Sequence, residues 1–259
     1  MDFQFIKFSK IGFVGIIKLN RPDVLNSFNR QMSLELQQIL DIIEDDKSIR
    51  ALYLTGEGRA FCAGQDLSEA ISGEIPIEKI VTEHYNPIIL KIRNLSKPVI
   101  AAVNGVAAGA GANIALCCDI VVASEKASFI QSFSAIGLIP DSGGTYFLPR
   151  LIGISRASAL MMLGDKISAS QAVEFGMIYK SFPAEEFESS AMSIAEKLSN
   201  MPTVGLALTK KALNSTYDNS LNEQLKFEGI LQNSAGSSYD YKEGVKAFLE
   251  KRKPDFKGE

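Results

Sequence analysis

The chain has 259 residues, 46% of them apolar, with 27 Lys and Arg against 30 Asp and Glu and a formal net charge of −3. That length buries a full core as one large domain or one domain with a small appendage, and the slightly acidic balance lacks the basic footprint of a nucleic-acid binder. A single histidine, His84, rules out a His-rich metal site and any Ser-His triad that does not use it.

Met1-Asp2-Phe3-Gln4 has neither the basic start nor the apolar run of a signal peptide. No apolar stretch reaches the ~20 residues of a membrane span, so the expectation is a soluble, cytoplasmic protein with no membrane partner. Phe3 to Phe8 and Phe13 to Leu19 alternate around Lys10-Ile11-Gly12 as a β-hairpin. Met32, Leu34, Leu36, Ile39, Leu40, Ile42 and Ile43 recur at helical spacing and end in the acidic run Glu44-Asp45-Asp46, an amphipathic helix.

Strand Ala51 to Thr55, helix Ile77 to Leu95, strand Val99 to Val103, helix Ala110 to Cys118 and strand Ile120 to Ala123 then alternate, which implies right-handed crossovers over a mostly parallel sheet. His84 falls in a helical stretch beside Glu83 and Tyr85 and reads as a packing or surface residue. The adjacent Cys117 and Cys118, two of three cysteines, suit buried reduced thiols. Beyond Ala123 the patterns are helical: Arg156 to Leu163, Ser168 to Phe175, Ala184 to Leu198, Val204 to Ser215, Leu221 to Ser234 and Tyr241 to Lys251. Leu206, Leu208, Leu213, Leu221, Leu225, Phe227 and Leu231 give the last of these more apolar face than one sheet can cover, so self-association is expected.

The chemistry-bearing pattern is a pair of small-residue loops, Phe61-Cys62-Ala63-Gly64-Gln65-Asp66-Leu67 and Gly105-Val106-Ala107-Ala108-Gly109-Ala110-Gly111-Ala112-Asn113, each leaving a strand end and entering a helix. Such loops serve tight turns and close packing, or they expose backbone N–H groups. Two converging N–H groups would hold a developing oxyanion, each worth roughly 2.7–4 kcal/mol in a dry site. A dinucleotide fingerprint fails, because its third glycine would fall on Ile114.

Five ordered segments resemble the crotonase superfamily, the enoyl-CoA hydratase/isomerase family: Leu19 to Asn26, Gly58 to Leu67, Lys97 to Gly105, Cys118 to Ser124 and Gly137 to Thr145. Within it, Asn104 to Asn113 and Gln131 to Thr145 are most similar to the 1,2-epoxyphenylacetyl-CoA isomerases. The resemblance implies an α/β fold of the ClpP/crotonase type, a ββα superhelix over residues 1–198 with a helical C-terminal trimerisation region, 199–259. It also implies a homotrimer or a hexamer built as a dimer of trimers, and an acyl-CoA thioester substrate. No metal and no other cofactor is expected, since coenzyme A arrives as part of the substrate.

By the same resemblance Gln65 and Ala110 supply the two oxyanion N–H groups, while Val24, Leu25, Ala63, Asp66 and Leu67 line the adenine and pantetheine path. The C-terminal helix, with Lys251 and Arg252, is expected near a CoA phosphate. The two hydratase glutamates are replaced by Asn113 and Phe133, and neither can activate water. Asp141 remains as the acid/base that isomerases use, although Ile139-Pro140-Asp141-Ser142-Gly143-Gly144 is also a turn sequence in which an Asp would cap a following helix. The reading is an acyl-CoA isomerase, converting 1,2-epoxyphenylacetyl-CoA to oxepin-CoA or 3-enoyl-CoA to 2-enoyl-CoA. A hydratase, dehalogenase or thioester hydrolase on the same scaffold, and a non-catalytic acyl-CoA-binding protein, are the alternatives.

Overall fold

A two-residue turn, Gly12-Phe13, closes the first hairpin in the computed structural model, which describes residues 3–71 and 75–259. Strand β1 (Ile6–Ile11) runs antiparallel to β2 (Val14–Leu19), with Ile11 opposite Val14 and Gly12 at φ +55°. The pairing thus starts at Ile6 rather than Phe3. Helix α1 (Arg30–Asp45) comes next, its first turn capped by Asn29, whose side chain accepts from the Met32 N–H. Its last carbonyls are satisfied by Lys97, a buried ammonium that donates to the carbonyls of Ile43, Glu44 and Asp46.

From residue 51 one unit recurs three times: a strand in a large sheet, a short strand in a second sheet, then helix. The first unit is β3 (Ala51–Gly56), β4 (Ala60–Cys62) and the helices α2 (Leu67–Ile71), α3 (Ile77–Lys79) and α4 (Asn86–Asn94), with a π-helical segment Ile80–Tyr85 between the last two. The second is β5 (Val99–Val103), β6 (Val106–Ala108) and α5 (Ala110–Leu116). The third is β7 (Ile120–Ser124), β8 (Ser128–Ile130), α6 (Gly144–Ile152) and α7 (Ile154–Leu163). Strand β9 (Lys166–Ser168), α8 (Ala169–Glu174), β10 (Lys180–Phe182), α9 (Phe187–Ser199), α10 (Thr203–Ser215), α11 (Leu221–Gly236) and α12 (Tyr239–Leu249) complete the chain.

The large sheet has the order β1-β2-β3-β5-β7-β10 and is parallel after its first pair, and the small one has the order β4-β6-β8-β9. Two sheets therefore replace the single sheet expected from the strand patterns. The second strands are only three residues long and carry no period of their own. The region after Ala123 is likewise not wholly helical: β8, β9 and β10 interrupt it, and α6 forms around an internal Pro149.

Strands β3 and β5 are buried along their whole length, which explains their continuous apolar runs. Their period of two splits them between two cores. Leu52, Leu54, Val99, Ala101 and Val103 face the core beneath α1 and α4, while Ala51, Tyr53, Ile100 and Ala102 face Phe187, Ala191 and Ala195 of α9. Each fully buried branched side chain stabilises the fold by about 1.5–3 kcal/mol.

Helices α10 to α12 lie outside this double layer. Of their expected apolar residues only Leu231 is buried; Leu206, Leu208 and Phe227 are half-buried, and Leu213, Leu221 and Leu225 are exposed, as are Phe248 (83%) and Leu249 (74%). After α12 the chain turns back on itself. Asp240 accepts from the N–H groups of Lys257 and Gly258, and Arg50 donates to the Phe256 carbonyl. Among the described residues no helix is long and apolar enough to cross a membrane, and no cluster of three or more His, Cys, Asp or Glu is placed to hold a metal ion.

Candidate active site

The loop after β4 is built by backbone pairing to the segment between β2 and α1. The Phe28 N–H donates to the Gly64 carbonyl (2.7 Å) and the Asp66 N–H to the Phe28 carbonyl (2.8 Å), a parallel bridge opposite Gln65. In such a bridge the intervening residue turns its own N–H and C=O away from the partner strand. The Gln65 N–H therefore points away from Phe28. Two consecutive left-handed residues, Leu25 (φ +55°) and Asn26 (φ +57°), make the matching bend, and the Ala63 N–H donates to the Leu25 carbonyl (3.0 Å). Asn26 fixes that bend from inside the protein: its amide donates to the Glu57 and Ala60 carbonyls and its oxygen accepts from the Arg21 N–H.

Val24 and Leu67 are exposed beside this bend, while Leu25 and Ala63 are half-buried. Asp66 belongs to the scaffold of the loop as well as its surface. One carboxylate oxygen pairs with Arg21 (2.9 Å) and the other accepts from the Ser68 N–H and hydroxyl. Burial pushes this carboxyl up, but the Ser68 and Arg21 hydrogen bonds outweigh it and hold it below the usual carboxylate range.

The second loop ends on Gly109, whose φ of +51° and ψ of −127° no side-chain-bearing residue adopts without strain. Ala110 opens α5, so its N–H has no acceptor within the helix. The two loops touch: a Cβ built on Gly64 would stand 3.0 Å from the Ala108 carbonyl oxygen and 3.5 Å from the Ala110 nitrogen. Gly111, one residue on, packs against Cys62 with no room for a methyl group. The structure thus brings Gln65 and Ala110 together.

Asp141 joins them through α5. Asn113, one turn from Ala110 and fully buried, donates its amide to the Asp141 carbonyl (2.8 Å) and accepts at its oxygen from Gln131 (2.8 Å). Asn113 is therefore a clamp on the Asp141 turn. Phe133 is buried against Gly109. Asp141 is not a helix cap: the residue before α6 is Gly143, and no side chain caps that helix. Burial raises the Asp141 carboxyl above its ordinary range, against the lowering effect of the Ser142 hydroxyl that it accepts from (2.9 Å).

Residues 11–259 match the Enoyl-CoA hydratase/isomerase family. The chain belongs to that family. It is 49% identical over 246 residues to the 1,2-epoxyphenylacetyl-CoA isomerase of Escherichia coli K12, covering 93% of this chain and 94% of that one. It is 42% identical, over the full length of both, to a probable enoyl-CoA hydratase of Rhodobacter capsulatus. The crystal structure of an enoyl-CoA hydratase subunit from Geobacillus kaustophilus superposes over both whole chains with a TM-score of 0.93 at 37% identity. The fold of this family member is accordingly crotonase-like, with the ββα units winding through two sheets.

Two residues that hold the Gln65 side chain are invisible in the loop motifs. Tyr85, 1% exposed, donates its hydroxyl to Gln65 Oε1 (2.7 Å), and Glu69 accepts from Gln65 Nε2 (3.3 Å) and from the Arg30 N–H. Both sit on the helical arm between β4 and β5. The available signal is Pro87, which lacks the N–H that would continue a regular helix through Glu83.

His84 is a buried packing residue, 2% exposed, and neither ring nitrogen has a partner among the described residues. Burial lowers its pKa; Glu69 and Glu83 oppose that shift and Arg30 adds to it. The unfolded chain takes up a proton near pH 6.5 that the folded chain refuses, so this group costs stability as pH falls below about 6.5. Thermal unfolding monitored from pH 8 to pH 5 is expected to show a falling midpoint, and His84→Gln to flatten that fall. An unchanged slope in the variant would assign the acid sensitivity elsewhere.

Proposed function

We propose that the protein is a cytoplasmic acyl-CoA isomerase in which the Gln65 and Ala110 N–H groups bind the thioester oxygen and Asp141 moves the proton. The carrying observation is a half-buried carboxyl of raised pKa on a turn held by Asn113 of α5, the helix that opens on Ala110, while Asn113 and Phe133 stand where a hydratase would carry its glutamates. With a 3-enoyl-CoA, Asp141 takes a proton from C2, the two N–H groups stabilise the resulting dienolate oxygen, and the same carboxyl returns the proton to C4 as the double bond shifts to C2–C3. One base suffices, and coenzyme A is part of the substrate.

The name of the Escherichia coli relative supports a second substrate, 1,2-epoxyphenylacetyl-CoA, whose ring epoxide would be rearranged to oxepin-CoA beside the same oxyanion pair. In this reading Val24, Leu25, Ala63, Asp66 and Leu67, on the oxyanion loop and the bend that pairs with it, would line the path of the nucleotide and pantetheine arm. The name of the Rhodobacter capsulatus relative favours hydration instead. The deciding experiment offers the pure protein 3-enoyl-CoA, 1,2-epoxyphenylacetyl-CoA and crotonyl-CoA in parallel. Isomerisation at an ordinary enzymatic rate, about 10 s⁻¹, with hydration of crotonyl-CoA at least ~100-fold slower, is expected. Rapid loss of the crotonyl-CoA absorbance would reverse the assignment.

The helices after residue 198, with their exposed Leu213, Leu221, Leu225, Phe248 and Leu249, support assembly as a trimer or a dimer of trimers. The CoA contact expected of the tail falls to Lys251 rather than Arg252. Both terminal nitrogens of Arg252 are engaged by Glu243 (2.6 and 2.9 Å) and its Nε by Glu250 (2.7 Å). Light scattering at micromolar concentration is expected to give at least three times the chain mass, and deletion from Tyr241 onward to lower it. A monomer with full activity would refute the interface.

A further inference from the structure

We propose that Tyr85 is a positioning residue for the oxyanion loop: its hydroxyl holds the Gln65 side chain and so fixes the rotation of the Gln65 peptide whose N–H binds the thioester oxygen. This rests on the oxyanion role given above to Gln65.

The Gln65 amide is held at both ends. Its oxygen accepts from Tyr85 (2.7 Å), and its nitrogen donates to Glu69 Oε2 and the Asp66 carbonyl, both at 3.3 Å. Glu69 is anchored in turn by the Arg30 N–H. Phe28 completes the frame. Its backbone brackets Gln65 from one side, and its ring meets the Tyr85 ring edge-on at 5.9 Å between centroids and 65° between planes. Backbone and side chain of Gln65 are therefore both referred to the same two aromatic residues.

The helical arm is distorted where it delivers this hydroxyl. Tyr85 is the last residue of the π-helical segment Ile80–Tyr85, where the Asn86 N–H donates to the Val81 carbonyl, and Pro87 lies two residues on. A π turn inserts one residue and rotates the succeeding residues about the helix axis, and such turns gather at functional sites. The carbonyls of Glu83 and His84 are satisfied from outside the arm by the Gln37 side chain of α1 (2.9 and 3.1 Å). The distortion is thus supported by neighbouring structure. The phenol is held protonated, first by burial and then by the surrounding carboxylate charges of Asp141, Glu69 and Asp66. It stays a donor throughout the working pH range.

The test uses the full-length protein and a thioester that cannot react, butyryl-CoA labelled with ¹³C at its carbonyl. Binding to wild type is expected to lower the carbonyl stretching frequency, and Tyr85→Phe to halve that shift or more while leaving the dissociation constant within about twofold. In turnover, kcat of Tyr85→Phe is expected to fall about 10-fold, with the Michaelis constant little changed, as small misplacements of a catalytic group do. Gln65→Leu keeps the peptide N–H but removes the acceptor, so it should reproduce the loss, and the double variant should be no worse than Gln65→Leu alone. Full carbonyl shift in folded Tyr85→Phe, or effects of the two substitutions that multiply, would overturn the proposal. If Tyr85→Phe fails to fold, a full shift in Gln65→Leu overturns it equally. No shift in wild type would refute the oxyanion role of Gln65 itself, and the positioning role with it. A shift that Tyr85→Phe diminishes upholds the positioning role even in a protein that proves to be a hydratase.

Discussion

Asp141→Asn is expected to abolish isomerisation, lowering kcat by about 10²–10⁴-fold, while acyl-CoA binding and the fold persist. The size of the loss is set by the site, where Asn113 and Phe133 offer no substitute carboxylate. Burial also gives the prediction a sign in pH. Because the folded pKa of Asp141 lies above that of an unfolded aspartate, its stabilising contribution is present when protonated and is lost as pH rises through the folded value. At pH 7 wild type carries that cost and the neutral amide does not, so the variant should melt at higher temperature, with the difference vanishing below about pH 4. The acid limb of kcat/KM in wild type should lie above the ordinary aspartate value of about 3.9. Steady-state turnover of a 3-enoyl-CoA together with calorimetry checks both halves. More than about a tenth of the wild-type rate in the variant would remove Asp141 from the mechanism.

Gly111→Ala is the second large expected effect, and it acts by displacement. A Cβ there would lie 2.4 Å from the Cys62 carbonyl oxygen and 2.6 Å from its Sγ, so α5 must lift from the end of β4. That helix carries Ala110 at its start and, one turn on, the Asn113 clamp on Asp141. Oxyanion donor and base would move together. The expectation is a loss of at least 10²-fold in kcat/KM, the scale of one misplaced oxyanion donor, with about 1–3 kcal/mol of destabilisation from overpacking. Denaturant unfolding alongside kinetics separates the two. A stable variant with near-normal turnover would show that the α5–β4 contact does not set the site.

Helix α1 was legible from its helical period, and strands β2, β3, β5 and β7 from short apolar runs that burial of the large sheet required. The three-residue strands of the small sheet were not. A strand that short has no alternation to detect, and its existence depends on pairing with residues far along the chain, as in β4 with β6, where Ala60 lies opposite Val106. Helix α6 was hidden by Pro149, and the π-helical segment looked like ordinary helix because a single inserted residue barely perturbs an apolar pattern.

The two small-residue loops could be located in sequence but not interpreted there. Glycine at 64, 109 and 111 is consistent with tight turns anywhere, and only the packed structure shows that Gly64 and Gly111 are required by the approach of one loop to the other. Asp141 is similar: the turn sequence around it permitted a cap, and the structure leaves that cap empty and the carboxyl half-buried.

The sequence by itself determined the α/β class, the succession of strand and helix through the first half, and the residues able to carry chemistry, because periodicity and residue type are local properties. Tertiary structure alone decided that Gln65 and Ala110 are neighbours, that Asn113 holds the Asp141 turn, and that Tyr85 reaches across to Gln65. Those relations join residues 20 to 45 positions apart in the chain, and such distances are closed only when a buried core, with its hydrogen bonds satisfied, offsets the entropy of closing the intervening loops.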